Sequence, residues 1–229
     1  WDNSIYFKKK HLTFKAIESG TFSFSQNNID YSLDNGTTWT TLIAGTSTPI
    51  IIAGSTVIWK SLLSPNNSIG IGTFSSTGKF NVEGNIMSLL YGDDLEGKDD
   101  LTDKSYAFYK LFNNCNNLID AHNSILPATT LAEGCYTDMF NRCTSLTTAP
   151  ELPATTLASS CYYQMFNNCT SLTTAPAELP AMTLANGCYT DMFYGCTSLT
   201  TAPELPATTL ADSCYRSMFK SCTSLTTAP

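Results

Sequence analysis

Hydrophobic positions along this chain follow two different periods, and the period changes after about residue 84. In residues 1–84, apolar and polar positions alternate in short runs, as at Leu12, Phe14 and Ala16. Gly, Ser, Asn or Pro bounds each run, and about eight such runs follow one another, which is typical of short antiparallel strands. This part of the sequence therefore predicts an N-terminal antiparallel β-sandwich.

The second half of the chain states nearly the same sequence four times. The segment Leu-Pro-Ala-Thr-Thr-Leu-Ala-x-x-Cys-Tyr-x-x-Met-Phe-x-x-Cys-Thr-Ser-Leu-Thr-Thr-Ala-Pro begins at Leu126 and returns with small changes at Leu152, Leu179 and Leu205. Equivalent residues are 26 or 27 positions apart. Self-similarity at such a period predicts a solenoid whose units stack on their neighbours. Residues 105–118 match the same pattern as a degenerate first unit.

The apolar positions inside one unit indicate a short helix followed by a short strand. Within residues 132–143 the apolar residues fall at offsets 0, 3, 4, 7, 8 and 11, which form one face of an α-helix. The β-branched run 144–150 predicts a strand with its leucine pointing inward. We therefore expect an α+β fold whose second half is a solenoid of short strands and short helices. Its predicted core positions include Leu146, Leu172, Leu199, Phe140, Phe166, Phe193 and Phe219.

These patterns divide the chain into three parts: a β-sandwich domain at 1–84, an acidic junction at 85–104 and the solenoid at 105–229. The acidic run 93–103 lacks the residue order of a calcium loop, and we interpret it as a solvated linker. The last unit shows no change of sequence that would cap the stack. We expect either further chain or an end-to-end contact with another molecule at this open C-terminal edge.

The repeat pattern x-Met-Phe-x-x-Cys-x-Ser-Leu-x-x-x-Pro, followed by Leu-Pro-x-x-x-Leu, resembles the BspA-like leucine-rich repeats of bacterial surface proteins. The resemblance covers residues 105–229, and the unit of this chain is a few residues longer than the usual one of that family. It implies an exported protein, either lipid-anchored at the bacterial cell surface or secreted, with a role in adhesion. The resemblance transfers no catalytic residues and no cofactor.

Composition and charge narrow the classes of function. The 229 residues carry a net charge of -7, and no basic stripe could displace counterions from phosphates, so we exclude nucleic acid as a partner. No apolar run approaches the ~20 residues of a membrane span, so no transmembrane segment is expected. The chain has two histidines, His11 and His122, and few acidic residues in its repeats. We therefore expect no enzyme; the enzymatic alternative requires two carboxylates facing each other in a pocket.

All nine cysteines lie in the repeats. On the predicted helix Cys135 and Cys143 would be about 12 Å apart, whereas the Cα atoms of a disulfide lie within ~7 Å of each other. We therefore expect buried free thiols that pack as small apolar residues. Disulfides between unlike positions of neighbouring repeats stay open as an alternative. No C-x-x-C pair occurs, and no metal site is predicted.

Residues 32–39, Ser-Leu-Asp-Asn-Gly-Thr-Thr-Trp, resemble the Asp-box, S-x-D-x-G-x-T-W, of sialidases and other β proteins. Asp34 can accept hydrogen bonds from its own turn, Gly36 permits a positive φ, and Trp39 can fold back onto the hairpin. Sialidase propellers carry several copies of this box, whereas this chain has one. We interpret the three residues as a structural staple and not as a sign of sialidase activity.

Taken together, these patterns predict a non-enzymatic protein that binds a host or environmental protein or glycan through the strand-lined face of the solenoid. The candidate ligand-binding residues lie beside the inward leucines and are Thr147, Thr173, Thr200, Thr226, Ser145, Ser171, Ser198 and Ser224. An alternative makes the sandwich a carbohydrate-binding module carried on a repeat spacer. That alternative requires an exposed aromatic platform, and burial of Trp39 and Trp59 would count against it.

Overall fold

The computed structural model of the protein describes residues 9–65 and 69–226. The regular elements that lie wholly within these ranges are eight strands and one helix of four residues, α1 (Ser88–Tyr91). The strands are β1 (Leu12–Ala16), β2 (Phe22–Phe24), β3 (Ile29–Ser32), β4 (Thr40–Leu42), β5 (Thr56–Lys60), β6 (Phe74–Ser76), β7 (Phe80–Asn85) and β8 (Leu118–Ile125).

Six of the strands form one mixed sheet in the order β4-β3-β5-β1-β7-β8. Neighbouring strands are antiparallel except for β7 and β8, which are parallel. Residues 86–117 connect these two strands, and a parallel pair needs a crossover of about a dozen residues or more. The other two strands, β2 and β6, form a separate antiparallel ribbon. The predicted antiparallel sandwich is therefore wrong, because its main layer is mixed and its second layer has only two strands.

An aromatic cluster joins the ribbon to the sheet. The ring of Phe14 in β1 lies 5.2 Å from the ring of Phe22 and 4.8 Å from that of Phe74, and both partners belong to the ribbon. Trp59 and Phe80, in the flanking strands β5 and β7, lie 5.3 Å and 4.9 Å from Phe14. Each of these five side chains is at most 2% exposed. Burial of such rings contributes roughly 2 to 3 kcal/mol each and holds the two layers together.

The predicted helix of each repeat is not formed. Its residues run through successive four-residue turns, and every fourth residue has a positive φ, as at Gly134, Asp138 and Arg142. The N–H of Met139 donates to the carbonyl of Tyr136, three residues earlier, at 3.2 Å. Helix makes up only 2% of the structure, so the predicted α+β class is wrong and the fold is nearly all-β. We call these segments the turn rows; they are residues 106–115, 134–143, 160–169, 187–196 and 213–222.

Hydrogen bonds between repeats explain why turns replace the helix. The N–H groups of Tyr136, Asp138 and Phe140 each donate to a carbonyl of the next repeat at 2.9 Å. In a helix these groups would be bonded internally, and neighbouring repeats would share no backbone ladder. A positive φ costs roughly 1 to 2 kcal/mol for most residues, and Gly, Asn or Asp occupies several of these positions. The apolar offsets of 3, 4, 7, 8 and 11 also fit a period of four residues, so the same sequence pattern is compatible with a helix and with a row of turns.

Equivalent side chains of successive repeats stack into columns. Ring centroids within a column are 5.4 to 5.8 Å apart, and the planes are tilted by at most 14°. The predicted core residues Leu146, Leu172, Leu199, Phe140, Phe166 and Phe193 are 0% exposed, whereas Phe219 in the last row is half-buried. The ring columns are Phe112, Phe140, Phe166, Phe193, Phe219 and Tyr136, Tyr162, Tyr189, Tyr215.

Strand β8 joins the sheet to the repeats. Asp120 of β8 forms a parallel bridge with Thr148, and Thr148 forms the next bridge with Thr174. The edge of the six-stranded sheet therefore continues as a column of short bridges along the repeats. A single hydrophobic core runs through both parts and includes Phe14 of β1 and Cys222 of the last turn row. Because β8 lies within the predicted solenoid, the sheet crosses the boundary between the predicted domains.

Candidate functional site

A cleft of about 680 Å³ lies where the sheet meets the first repeats; we call it the junction cleft. Four parts of the chain line it together with Lys9: the end of β7, the stretch from the end of β8 to residue 129, the loop 95–99, and the next repeat at Glu151 and Pro153. Segments that are distant in sequence meet here because β8 is parallel to β7 and also carries the first repeat. Concave sites of this size are the usual places for small ligands in proteins.

The first repeat builds the cleft because its sequence departs from the others. Leu118 and Leu126 are eight positions apart, whereas the equivalent leucines of the next repeat are six apart. His122 stands where the next repeat has Pro150. A proline lacks the N–H that a paired strand needs, so its replacement allows β8 to continue to Ile125 beside β7. This two-residue extension is the signal in the sequence that could have located the cleft.

Ser124 is the most informative side chain of the cleft, and no pattern in the sequence pointed to it. Its Cα pairs with that of Gly84 across the sheet, and its side chain is 2% exposed. Ser124 is one of the residues that line the cleft, and its hydroxyl oxygen is buried without a hydrogen-bond partner. A buried polar group left without a partner costs roughly 1 to 3 kcal/mol. A ligand in the cleft recovers that free energy only if the residues around Ser124 shift enough to expose the hydroxyl to it.

Asp120, His122 and Ser124 stand at alternate positions of β8 and are the residue types of a nucleophilic triad. Asp120 Oδ2 lies 2.7 Å from His122 Nδ1, and the backbone N–H of His122 donates to Asp120 Oδ1 at 2.9 Å. The Ser124 hydroxyl, however, makes no hydrogen bond to the imidazole. A serine nucleophile is activated through that bond. These three side chains therefore do not form a connected hydrogen-bonded triad in this structure.

Both lysines that line the junction cleft are in ion pairs. The ammonium group of Lys9 lies 2.7 Å from Glu96, and that of Lys98 lies 3.1 Å from Asp94. The carboxylate of Glu151 accepts the backbone N–H of the residue at position 177, at 3.2 Å. No described ion pair includes the carboxylate of Glu151 or that of Asp99, which also lines the cleft, so the lining has one more carboxylate than ammonium group and disfavours an anionic ligand.

The threonines predicted to bind ligand recur as a column along the repeats, and three of the four donate their hydroxyl groups to carbonyls of the preceding repeat. The hydroxyl of Thr147 donates to the Ile119 carbonyl at 2.9 Å, that of Thr173 donates to the Thr147 carbonyl at 3.1 Å, and that of Thr226 donates to the Thr200 carbonyl at 3.4 Å. Thr147 is half-buried and the other three are exposed. None of them lines the junction cleft. Of the candidate serines, Ser224 is exposed and the half-buried ones are Ser145, Ser171 and Ser198.

The Asp-box segment forms a hydrogen-bonded hairpin between β3 and β4. Asp34 accepts the backbone N–H of Thr38 at 2.8 Å and its hydroxyl at 2.6 Å, and it also accepts the Ser32 hydroxyl at 2.8 Å. Gly36 has a φ of 86°, and its carbonyl accepts the indole N–H of Trp39 at 3.1 Å. These donors stabilise the carboxylate and lower the pKa of Asp34 to about 2. The side chains of Asp34 and Trp39 are both hydrogen-bonded within the hairpin, so they stabilise its turn, as expected of a structural staple.

The described tryptophans offer no open aromatic platform. Trp59 is 0% exposed within the core. Trp39 is half-buried, and the ammonium group of Lys60 lies over its ring at 4.1 Å. The same ammonium group donates to Asp93 at 2.7 Å, which lowers the pKa of that carboxyl. Sugar stacking on Trp39 would therefore require displacement of an ion-paired lysine.

All nine cysteines are buried and free, which confirms the prediction that they pack inside the repeats. The argument for this prediction was wrong, because the helix that was expected to hold Cys135 and Cys143 apart is not formed. Burial raises the pKa of the Cys115 thiol to about 12 and that of Cys188 to about 11. Thiols with such pKa values stay protonated and unreactive at neutral pH.

The chain matches no protein-family model, and no curated protein or solved structure is significantly similar to it. No helix among the described residues is long and apolar enough to span a membrane. Within the same ranges, no three His, Cys, Asp or Glu side chains come together as a metal site would require. The chain has a nearly all-β fold, in which the edge of a mixed sheet continues as a column of bridges along the stacked turn rows.

Proposed function

We propose that the protein is a non-enzymatic binding protein, exported to the bacterial surface or secreted, that holds an uncharged polar ligand in the junction cleft. A glycan segment is the ligand class that fits best, because its hydroxyl groups both donate and accept. The observation that carries the proposal is the preformed cleft of about 680 Å³, whose lining residues include Ser124 with its buried, unpartnered hydroxyl. The resemblance of the repeats to BspA-like surface proteins supports the exported location.

The repeat stack supplies a rigid support for this cleft. Glu151 and Pro153 of the second repeat line it, and ladder bonds fix their repeat to its neighbours on both sides. A preformed cleft loses little conformational entropy when a ligand enters, which favours affinity. A binding role needs no activated nucleophile, in keeping with the absent bond between His122 and Ser124.

The threonine column is a second candidate surface, for adhesion to a host or environmental protein. Thr173, Thr200 and Thr226 are exposed in a regular row. The hydroxyl protons of Thr173 and Thr226 already point to carbonyls of preceding repeats. A partner on this face would therefore have to donate hydrogen bonds to the threonine oxygens, a narrower requirement than that of the junction cleft.

Titration of the full chain with a set of neutral oligosaccharides, followed by calorimetry and backbone NMR, distinguishes binding in the junction cleft from binding on the threonine column. Ser124→Ala is expected to weaken glycan binding at least about tenfold and to raise the midpoint of thermal unfolding, since it removes an unsatisfied hydroxyl. Thr173→Val serves as the matched control and should leave the affinity unchanged. The opposite ranking of the two variants would assign binding to the threonine column. Absence of binding by every oligosaccharide would refute the glycan class.

A further inference from the structure

Two hydrogen bonds to Asp120 hold His122 in place on β8. Asp120 Oδ1 accepts the backbone N–H of His122 at 2.9 Å, and Asp120 Oδ2 lies 2.7 Å from the ring nitrogen Nδ1. The Cα of Asp120 pairs with that of Asn81 in β7, and Asp120 also forms a bridge with Thr148 of the next repeat. The backbone at Asp120 is therefore held from both sides, and the imidazole of His122 is oriented with it.

The chemistry of Asp120 decides which nitrogen of this ring carries the proton. An ionised carboxylate can only accept hydrogen bonds, so Nδ1 carries the hydrogen that lies between it and Oδ2. In a neutral imidazole the other nitrogen, Nε2, is then an acceptor. His122 lines the junction cleft, its side chain is 53% exposed, and no described residue bonds to Nε2. The cleft therefore contains an acceptor on a ring whose orientation is preset.

His11, the other histidine of the chain, has the opposite arrangement. Its Nε2 lies 2.9 Å from Asp93 Oδ1. By the same argument Nε2 of His11 carries the proton, and Nδ1 is the acceptor. Neither His11 nor Asp93 lines the junction cleft. The chain therefore contains one reference for each form of the neutral ring.

The charged side chains of the junction cleft also present acceptors. Both lysines of the lining are in ion pairs with nearby carboxylates. Asp99 and Glu151 belong to no described ion pair, and a carboxylate offers no donor. The amide of Asn123, which also lines the cleft, contributes one donor group beside them. Among these side chains and His122, a ligand meets more acceptors than free donors.

We infer that the junction cleft selects glycans with unsubstituted hydroxyl groups, which act as donors, and that Nε2 of His122 accepts one of them. The inference rests on the proposed function and adds the chemical feature that the cleft recognises. A glycan whose hydroxyl groups are methylated or acylated has no donor for these acceptors. A site built to bond a hydroxyl rejects an analogue without its proton, because the acceptor is left desolvated and unpaired. Asp120 is a positioning residue, since it acts through the proton on Nδ1.

The form of the imidazole is tested first, in the free full-length protein labelled with ¹⁵N at histidine. At about pH 8, where imidazole is neutral, the nitrogen shifts should assign the proton to Nδ1 in His122 and to Nε2 in His11. In Asp120→Asn the amide oxygen can keep the backbone N–H of His122, so the NH₂ group faces the ring and moves the ring proton to Nε2. A parent protein with the proton of His122 on Nε2 would overturn the inference without any ligand.

Binding is then measured by calorimetry with cellopentaose, mannopentaose and maltopentaose, each beside its per-O-methyl ether. The parent protein should bind a free sugar at least about tenfold more tightly than its ether. In Asp120→Asn this ratio should fall toward one, because Nε2–H can donate to an ether oxygen. A ratio that is equal in the two proteins would show that the methyl groups act by their bulk, and would overturn the inference alone.

A matched control and the remaining outcome complete the test. Asp30→Asn makes the same change on β3, which is separated from β8 by three strands of the sheet. It should leave both affinities and the form of His122 unchanged. Absence of binding by all three free sugars, in a protein with the expected form of His122, would refute the proposed function and the inference together.

Discussion

The thiol of Cys169 donates a hydrogen bond to the carbonyl oxygen of Phe140 in the preceding repeat, with 3.0 Å between Sγ and O. The same bond joins Cys143 to Phe112 at 3.0 Å and Cys196 to Phe166 at 3.1 Å. A thiol at this position fills a small buried space and also donates weakly. Each cysteine of this column therefore ties two repeats together without a covalent bond.

Replacing Cys169 by alanine should cost more stability than the same change at Cys161. Both side chains are 0% exposed, so both variants lose a similar apolar volume. Only Cys169 donates to another repeat among the described hydrogen bonds, and the loss of one such bond adds about 1 kcal/mol. Denaturant unfolding of the two variants measures the difference. Equal free energies of unfolding would show that the thiol contributes by packing alone.

The sequence predicted which side chains are buried better than it predicted the path of the backbone. Leu172, Phe166 and Cys169 are 0% exposed, because the need for stacking determines which positions face inward. The predicted path of the backbone was wrong because apolar pairs four residues apart are compatible with a helix and with a row of turns. The informative residues were the polar ones: Gly187, Asp191 and Gly195 recur every four positions and tolerate a positive φ.

Substitutions at Gln164 distinguish a turn row from a helix. Gln164 has a φ of 53°, and its side chain donates to Asp191 at 3.2 Å. Gln164→Gly and Gln164→Ala both remove that bond, so their difference reports the backbone. In a turn row glycine should be the more stable variant by about 1 kcal/mol. In a helix alanine would lead by about the same amount. Thermal or denaturant unfolding of the pair gives the sign.

The junction cleft could not be derived from periodicity, because it depends on contacts between distant parts of the chain. The first repeat has His122 where the next repeat has Pro150, and this difference indicates a longer strand in the first repeat. Nothing local indicates that this strand pairs in parallel with β7, or that the loop 95–99 closes over its end. Such contacts are decided by the packing of the whole core, which no single segment encodes.

Stability should fall as the pH rises above about 9, the ordinary pKa of a thiol. Burial raises the pKa of Cys161 and Cys169 well above that value, and it does the same for the buried hydroxyl of Tyr162. The unfolded chain then releases protons that the folded chain keeps, so the stabilisation is complete below pH 9 and is lost at higher pH. Above pH 9, each thiol that is ionised in the unfolded chain and protonated in the folded chain lowers the free energy of unfolding by about 1.4 kcal/mol per pH unit.

Urea unfolding between pH 7 and 11 measures this slope. The variant Cys161→Ala provides the control, because it removes one titrating thiol from the folded and the unfolded chain. Its stability should decline less steeply above pH 9 than that of the parent protein. A parent protein whose stability is constant up to pH 11 would contradict the burial of these thiols.

Acid should release the Asp-box hairpin only at unusually low pH. Hydrogen bonds from Thr38 and Ser32 lower the pKa of Asp34 to about 2 from an ordinary 3.8. A depressed pKa stabilises the hairpin above pH 3.8, and this contribution is lost as the pH falls through 2. Because the indole N–H of Trp39 donates to the Gly36 carbonyl, its NMR shift should titrate with a midpoint near 2. Asp34→Asn should abolish that titration, and a midpoint near 3.8 in the parent protein would show that the carboxylate is free.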